Sequence, residues 1–197
     1  MPIKAMSDTQ RLFFETNGYL VIPNALPPEE LARVRVAADR AEATWRADPT
    51  RLGTRGPNLE QVQAPIEYDD VLRDLLVHPV VFPIVHELLG DDVSMIDNDF
   101  FITPPHRPTH AGWHHDVGLS GVYHPRSTLM VKVFYLLTDV PEGGGTALIP
   151  GSHRFPNGFE LPKVDAPDRM PGYVQTTPIS AARRYSRRSR LTAKKST

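Results

Sequence analysis

The chain has no cysteine. That removes disulfide scaffolds, Cys-ligated zinc, iron–sulfur clusters and thiol nucleophiles. No apolar run approaches the ~18 residues of a membrane span, and the first ten residues, MPIKAMSDTQ, lack the apolar centre of a secretory signal. The expectation is a cytoplasmic protein with no membrane partner. No internal repeat is visible. What is plentiful is proline, 20 in 197 residues, about double the usual ~5%. Proline at that density suits a loop-rich, strand-rich fold better than a helical bundle.

The net charge of −1 conceals an asymmetry. Residues 181–197, AARRYSRRSRLTAKKST, hold seven Lys and Arg and no acid. The remaining 180 residues carry 15 basic and 23 acidic groups, a net of −8. An acidic body argues against a nucleic-acid enzyme. The domain reading is therefore 1–180 as one domain, followed by a basic, disordered tail at 181–197. The tail alone could touch nucleic acid or acidic lipid.

Helical patterns come first. Ser7-Asp8 opens a capped helix that Gly18 closes. Tyr19–Pro23 is a short β-type run. The stretch from Leu26 carries two prolines and two glutamates at its start, then apolar residues at Leu31, Val34, Ala38, Ala41 and Trp45, which describes an amphipathic helix. Asp48 to Pro65 reads as loop. Tyr68–Val77 and Pro79–Leu89 are two short helices, the second capped by Gly90. After Gly90 the texture changes. Val93–Thr103 alternates and reads as a strand. Ser127–Val140 is apolar on both faces and reads as a central strand. PEGGG is a turn, and Thr146–His153 is the next strand. Helices followed by antiparallel-type strands predict an α+β chain whose second half is a β-sandwich or jelly roll.

Five of the eight histidines lie between His106 and His124. The sharpest group is Trp113-His114-His115-Asp116. On an extended segment residues i and i+2 share a side, so His114 and Asp116 can converge while His115 faces away. Imidazole plus carboxylate is a donor set for Fe(II), Mn(II) or Zn(II); it also describes a plain surface His–Asp pair. Lys132 stands alone in an apolar run, where an ammonium is costly to bury without an anion. It would bind a carboxylate, or its strand face reaches solvent. Asn98 and Asp99 precede the triplet and could face the same pocket or form the polar edge of a strand. His153 ends Pro150-Gly151-Ser152-His153 and reads as structural rather than as a ligand.

Taken in order, FFETNGYLVIPNALPPEEL, the triplet WHHD and VKVFYLLTDVPEGGGTALIPGSH resemble the phytanoyl-CoA dioxygenase family of Fe(II)- and 2-oxoglutarate-dependent oxygenases, over about residues 10 to 175. The resemblance implies a mainly β chain with a double-stranded β-helix (a cupin-like jelly roll) carrying N-terminal helices. It implies Fe(II) held by two His and one carboxylate, with 2-oxoglutarate as cosubstrate, O₂, and a small organic substrate that is hydroxylated. By similarity, His114 and Asp116 are two metal ligands, and Thr146 and Lys132 contact 2-oxoglutarate. No side chain is assigned a separate catalytic role.

The family's distal His and the Arg beyond it have no counterpart, since no His follows His153. Arg183, Arg184, Arg187, Arg188 and Arg190 lack the apolar alternation of a core strand and are not assigned the Arg's role. The expectation is a chain truncated or frameshifted before its last core strands, with a metal site that neither His110 nor His153 completes. Two alternatives stand beside an active dioxygenase. One is a catalytically inactive family member or a jelly-roll binding module without redox chemistry. The other is a cupin-type metal protein that does not use 2-oxoglutarate. Substrate identity and oligomeric state are open. Arg51–Gln63 and His106–His110 are the expected substrate-lining segments, with Phe100, Phe101, Trp113 and Tyr123 as apolar contacts.

Overall fold

Two capping motifs fix the limits of the first helix. The Ser7 hydroxyl accepts from the Gln10 N–H at 3.2 Å, and the Gln10 side chain accepts from the Ser7 N–H at 2.9 Å. This reciprocal box starts α1, Asp8–Asn17. Gly18 ends it in the left-handed region, φ 82°, its N–H donating to Phe14 O. The computed structural model describes residues 4–48, 60–102, 114–116, 124, 126–140, 145–155 and 174–175.

Helix α2, Pro28–Ala47, begins with proline at its first position and Glu29 and Glu30 in its first turn, a favourable match to the helix dipole. Its buried face is Val34, Ala37, Ala38, Ala41 and Trp45. The spacing is the helical one read from the sequence, with Ala37 added and Leu31 only half-buried. The alanines keep that face thin, so α3, Asp70–Asp74, packs closely against it. Asp69 caps α3 by accepting from Val71 N–H at 3.0 Å, and its other oxygen takes Arg40 of α2 at 2.6 Å. Val34, Ala37, Ala41 and Leu72 form the core between the two helices. Tyr68, Val71, Leu75, Phe100 and Leu137 close over it.

A 3₁₀ turn, Leu75–Val77, leads to α4, Phe82–Leu89, which ends at Gly90. Glu87 of α4 accepts the Ala5 and Met6 N–H groups at 2.5 and 2.8 Å, tying the start of α1 to α4.

The strands form two short antiparallel ribbons. β1, Glu60–Gln63, pairs with β2, Asp99–Ile102, with Val62 opposite Phe100. Val62 is fully buried. β3, Ala147–Leu148, pairs with β4, Val174–Gln175.

Three expectations need correction. Asp48–Pro65 is not all loop, because Glu60–Gln63 is β1. Its residues Gln61 and Gln63 are polar, so only Val62 signalled burial. Tyr19–Pro23 forms no ladder among the described residues. Ser127–Val140, expected as a central strand, also has no ladder partner among them. It runs instead along the helical layer, where Leu137 joins the core and Leu137 O accepts from the Arg35 guanidinium. Tyr135 O–H donates to Leu75 O at 3.0 Å. A strand exists by virtue of its hydrogen-bonded neighbours, and apolarity on both faces does not supply them. The α+β character stands, but the described residues are chiefly helical rather than mainly β. No helix among them is long and apolar enough to cross a membrane.

Candidate metal centre

His114 and Asp116 lie on a short segment without helix or ladder hydrogen bonds. Their side chains meet, with His114 Nε2 3.2 Å from Asp116 Oδ1. His115, between them, points elsewhere, its Nε2 3.0 Å from Ser152 O. The pair is open to water, with side-chain exposures of 49% and 31%.

The separation bears on what the pair could hold. Two ligands at about 2.1 Å from one divalent cation stand about 3.0–3.4 Å apart, depending on whether the angle is octahedral or tetrahedral. The observed 3.2 Å falls in that interval. One imidazole nitrogen and one carboxylate oxygen fit two positions of a first-row divalent ion. Among the described residues no group of three His, Asp or Glu is arranged to hold a metal.

Lys132 extends its ammonium to the other oxygen of Asp116, at 2.9 Å, and lies 5.9 Å from the centroid of the Phe134 ring. Its side chain is 46% exposed. The charge is thus paired with Asp116 and also reaches solvent. Thr146 sits just before β3 and is exposed. Among the described residues, Lys132 and Thr146 are not on neighbouring paired strands, since residues 126–140 have no ladder partner there and β3 pairs with β4.

Asp99 on β2 belongs to the same electrostatic neighbourhood. Burial raises its carboxyl above the usual range, against a hydrogen bond from Gln61. The Asp97 and Asp116 charges push it further up, and Lys132 opposes them. Gln61 is diagonal to Asp99 across the β1–β2 pair, and its amide donates to Asp99 Oδ2. The sequence reading placed Gln61 in a candidate substrate-lining loop but did not see this contact, because β1 carries almost no apolar signal. Asn98 is structural: its side chain accepts from Ile66 N–H at 3.3 Å, and its carbonyl from Ala64 N–H at 2.9 Å. Phe100 turns into the helical core while Phe101 is exposed.

His153 sits in the 3₁₀ turn Ser152–Arg154. Its ring packs on Gly18 so closely that a Cβ there would stand 2.3 Å from Nδ1. Both ring nitrogens are buried without a hydrogen-bond partner. Burial, reinforced by the Arg154 charge, lowers its basicity and favours the neutral ring. Trp113, Tyr123, His106, His110, most of Arg51–Gln63 and the residues after Gln175 lie outside the described residues.

A family model described as Phytanoyl-CoA dioxygenase (PhyH) matches residues 14–193. Among curated proteins, the ectoine dioxygenase of Nocardia farcinica (strain IFM 10152) is 26% identical over 149 residues. That alignment takes in 72% of this chain and 49% of the relative, so the chain spans about half the length of the protein it matches.

Proposed function

The chain belongs to the phytanoyl-CoA dioxygenase family, and from that premise we propose that it is a dioxygenase-type domain in which His114 and Asp116 supply two ligands to Fe(II). The observation that carries this reading is the 3.2 Å approach of His114 Nε2 to Asp116 Oδ1. When bound, Fe(II) with 2-oxoglutarate and O₂ supplies the oxidising chemistry, in which 2-oxoglutarate loses CO₂ to give succinate while one oxygen atom enters a C–H bond of the substrate.

The chain's own residues would act by placement and charge. His114 presents Nε2 to the cation as a neutral imidazole, and Asp116 contributes one negative charge through Oδ1. Lys132 brings a positive charge beside Asp116, suited to attract the carboxylate of 2-oxoglutarate. The Thr146 hydroxyl is proposed as a further hydrogen-bond donor to that cosubstrate. The fold in this reading is the family's jelly roll, with α1 to α4 packed outside it. The substrate is a small organic molecule, and ectoine, the compound in the relative's name, is the first to try.

The test is a titration of the 197-residue chain with Co(II) as a spectroscopic substitute, then a succinate-release assay with Fe(II), 2-oxoglutarate and ectoine. His114→Ala and Asp116→Ala should each weaken Co(II) binding by more than about 100-fold, beyond the effect typical of outer-shell groups. Wild-type Co(II) affinity in both variants would overturn the ligand assignment. Metal binding without any 2-oxoglutarate binding would favour a cupin-type metal protein instead.

A further inference from the structure

The two proposed ligands sit on a short segment outside the helices and ladders of the described residues. The residue between them has an anchor of its own. His115 Nε2 lies 3.0 Å from Ser152 O. A carbonyl oxygen only accepts, so Nε2 carries the proton and donates.

Ser152 is itself fixed from the far side. It opens the 3₁₀ turn after Gly151, and Gly151 N–H donates to Asn17 O at 3.0 Å. Arg154 donates to Glu15 O at 2.9 Å and reaches Glu15 Oε2 at 2.6 Å. The His153 ring packs against Gly18. The turn is thus clamped on the C-terminal end of α1 by two backbone carbonyls, a carboxylate and a ring contact. Gly18 has φ 82°, open to glycine at little cost, and no side chain to hold the His153 ring off.

We infer that His115 is a positioning residue: by donating to Ser152 O it locks the backbone between His114 and Asp116 to the end of α1, so that the two ligating atoms stay within the span of one cation. His115 shares a peptide plane with His114 on one side and with Asp116 on the other, so holding its side chain restricts the backbone of both flanks. This rests on the reading that His114 and Asp116 bind the metal. It extends that reading to a group that touches neither metal nor substrate.

The experiment is Co(II) titration of the full chain, read by visible absorbance, with melting curves for each protein. The proteins are wild type, His115→Ala, His115→Gln and His114→Ala. Glutamine places an amide N–H close to the position of Nε2. The inference expects His115→Ala to weaken Co(II) binding by about 10-fold, at the lower end of the effect of groups that orient ligands. His115→Gln should return it to within about twofold of wild type, with the wild-type Co(II) spectrum. A simple loss of packing would not be rescued by glutamine in this way. If His114→Ala abolishes binding while His115→Ala stays within twofold of wild type, the inference fails and the ligand reading stands. If His115→Gln folds but binds no better than His115→Ala, the hydrogen bond is not the agent and the inference also fails. If His114→Ala leaves binding unchanged, the ligand reading falls and takes the inference with it.

Discussion

Gly18 is under two constraints at once. Its φ of 82° disfavours any Cβ, by about 1–2 kcal/mol. The same Cβ would also collide with His153 Nδ1 at 2.3 Å, and overpacking of this kind costs about 1–3 kcal/mol. Gly18→Ala should therefore lower stability in urea by about 2–5 kcal/mol. Adding His153→Ala should recover the steric part and leave the backbone part; a double variant as unstable as the single one would refute the collision. The helix-ending role of Gly18 could be read from the sequence, because a glycine after TQRLFFETN is a local signal. Its contact with His153 could not, because that depends on two distant segments meeting. The triplet was legible in a similar, partial way. Period-two alternation indicated that His114 and Asp116 share a side, but nothing local showed that Lys132 would take an Asp116 oxygen. A lone lysine in an apolar run signals that an anion is needed without saying which.

Helix α2 was the most legible element because its pattern repeats over five turns and its first turn carries proline and glutamate. Trp45 is fully buried at its end. Trp45→Ala should cost about 3–5 kcal/mol in chemical denaturation, and a loss below about 1 kcal/mol would mean that the surrounding residues collapse into the space. The strands were harder to read. β1 has one apolar residue in four, so its identity comes from β2, which lies some forty positions away in the chain. Ser127–Val140 shows the opposite error. Its apolar character is plain, yet the described contacts are with helices: Tyr135 reaches Leu75 O and packs edge-on to His78, itself nearly fully buried and 3.4 Å from Glu30. Burial pushes the Tyr135 phenol up to about 12, which keeps it a neutral donor. Only part of the segment is buried, with Leu129, Val133, Phe134 and Leu136 exposed, and hydrogen-bonded neighbours, not apolarity, decide whether it is a strand.

At the scale of the molecule, His153 and Glu87, among the described residues, couple the fold to acidity in separate pH ranges. His153 has its basicity lowered by burial. The unfolded chain therefore takes up that proton first, and stability should fall as pH drops below about 6.5, the ordinary imidazole value. Glu87 has its acidity strengthened, chiefly by the Met6 N–H, with Ala5 N–H and Arg11 adding to it. Its stabilising contribution is complete above its ordinary value and is lost as pH falls through the lower, folded one. Melting temperatures followed from pH 8 to pH 3 should show the first decline vanish in His153→Gln and the second shrink in Glu87→Gln. An unaltered profile in both variants would exclude these groups as the cause. The clamp between α1 and the Ser152 turn also has a consequence in time. Glu15 and Arg154 are 139 positions apart. At about 5–20 residues per second of synthesis, α1 leaves the ribosome about 7–28 s before its partner turn exists. Helices α1 to α4 can form and pack in that interval, and Asp116 can meet Lys132, but the anchor of His115 is missing until Ser152 emerges, so the proposed centre should be among the last parts of a nascent chain to become fully ordered.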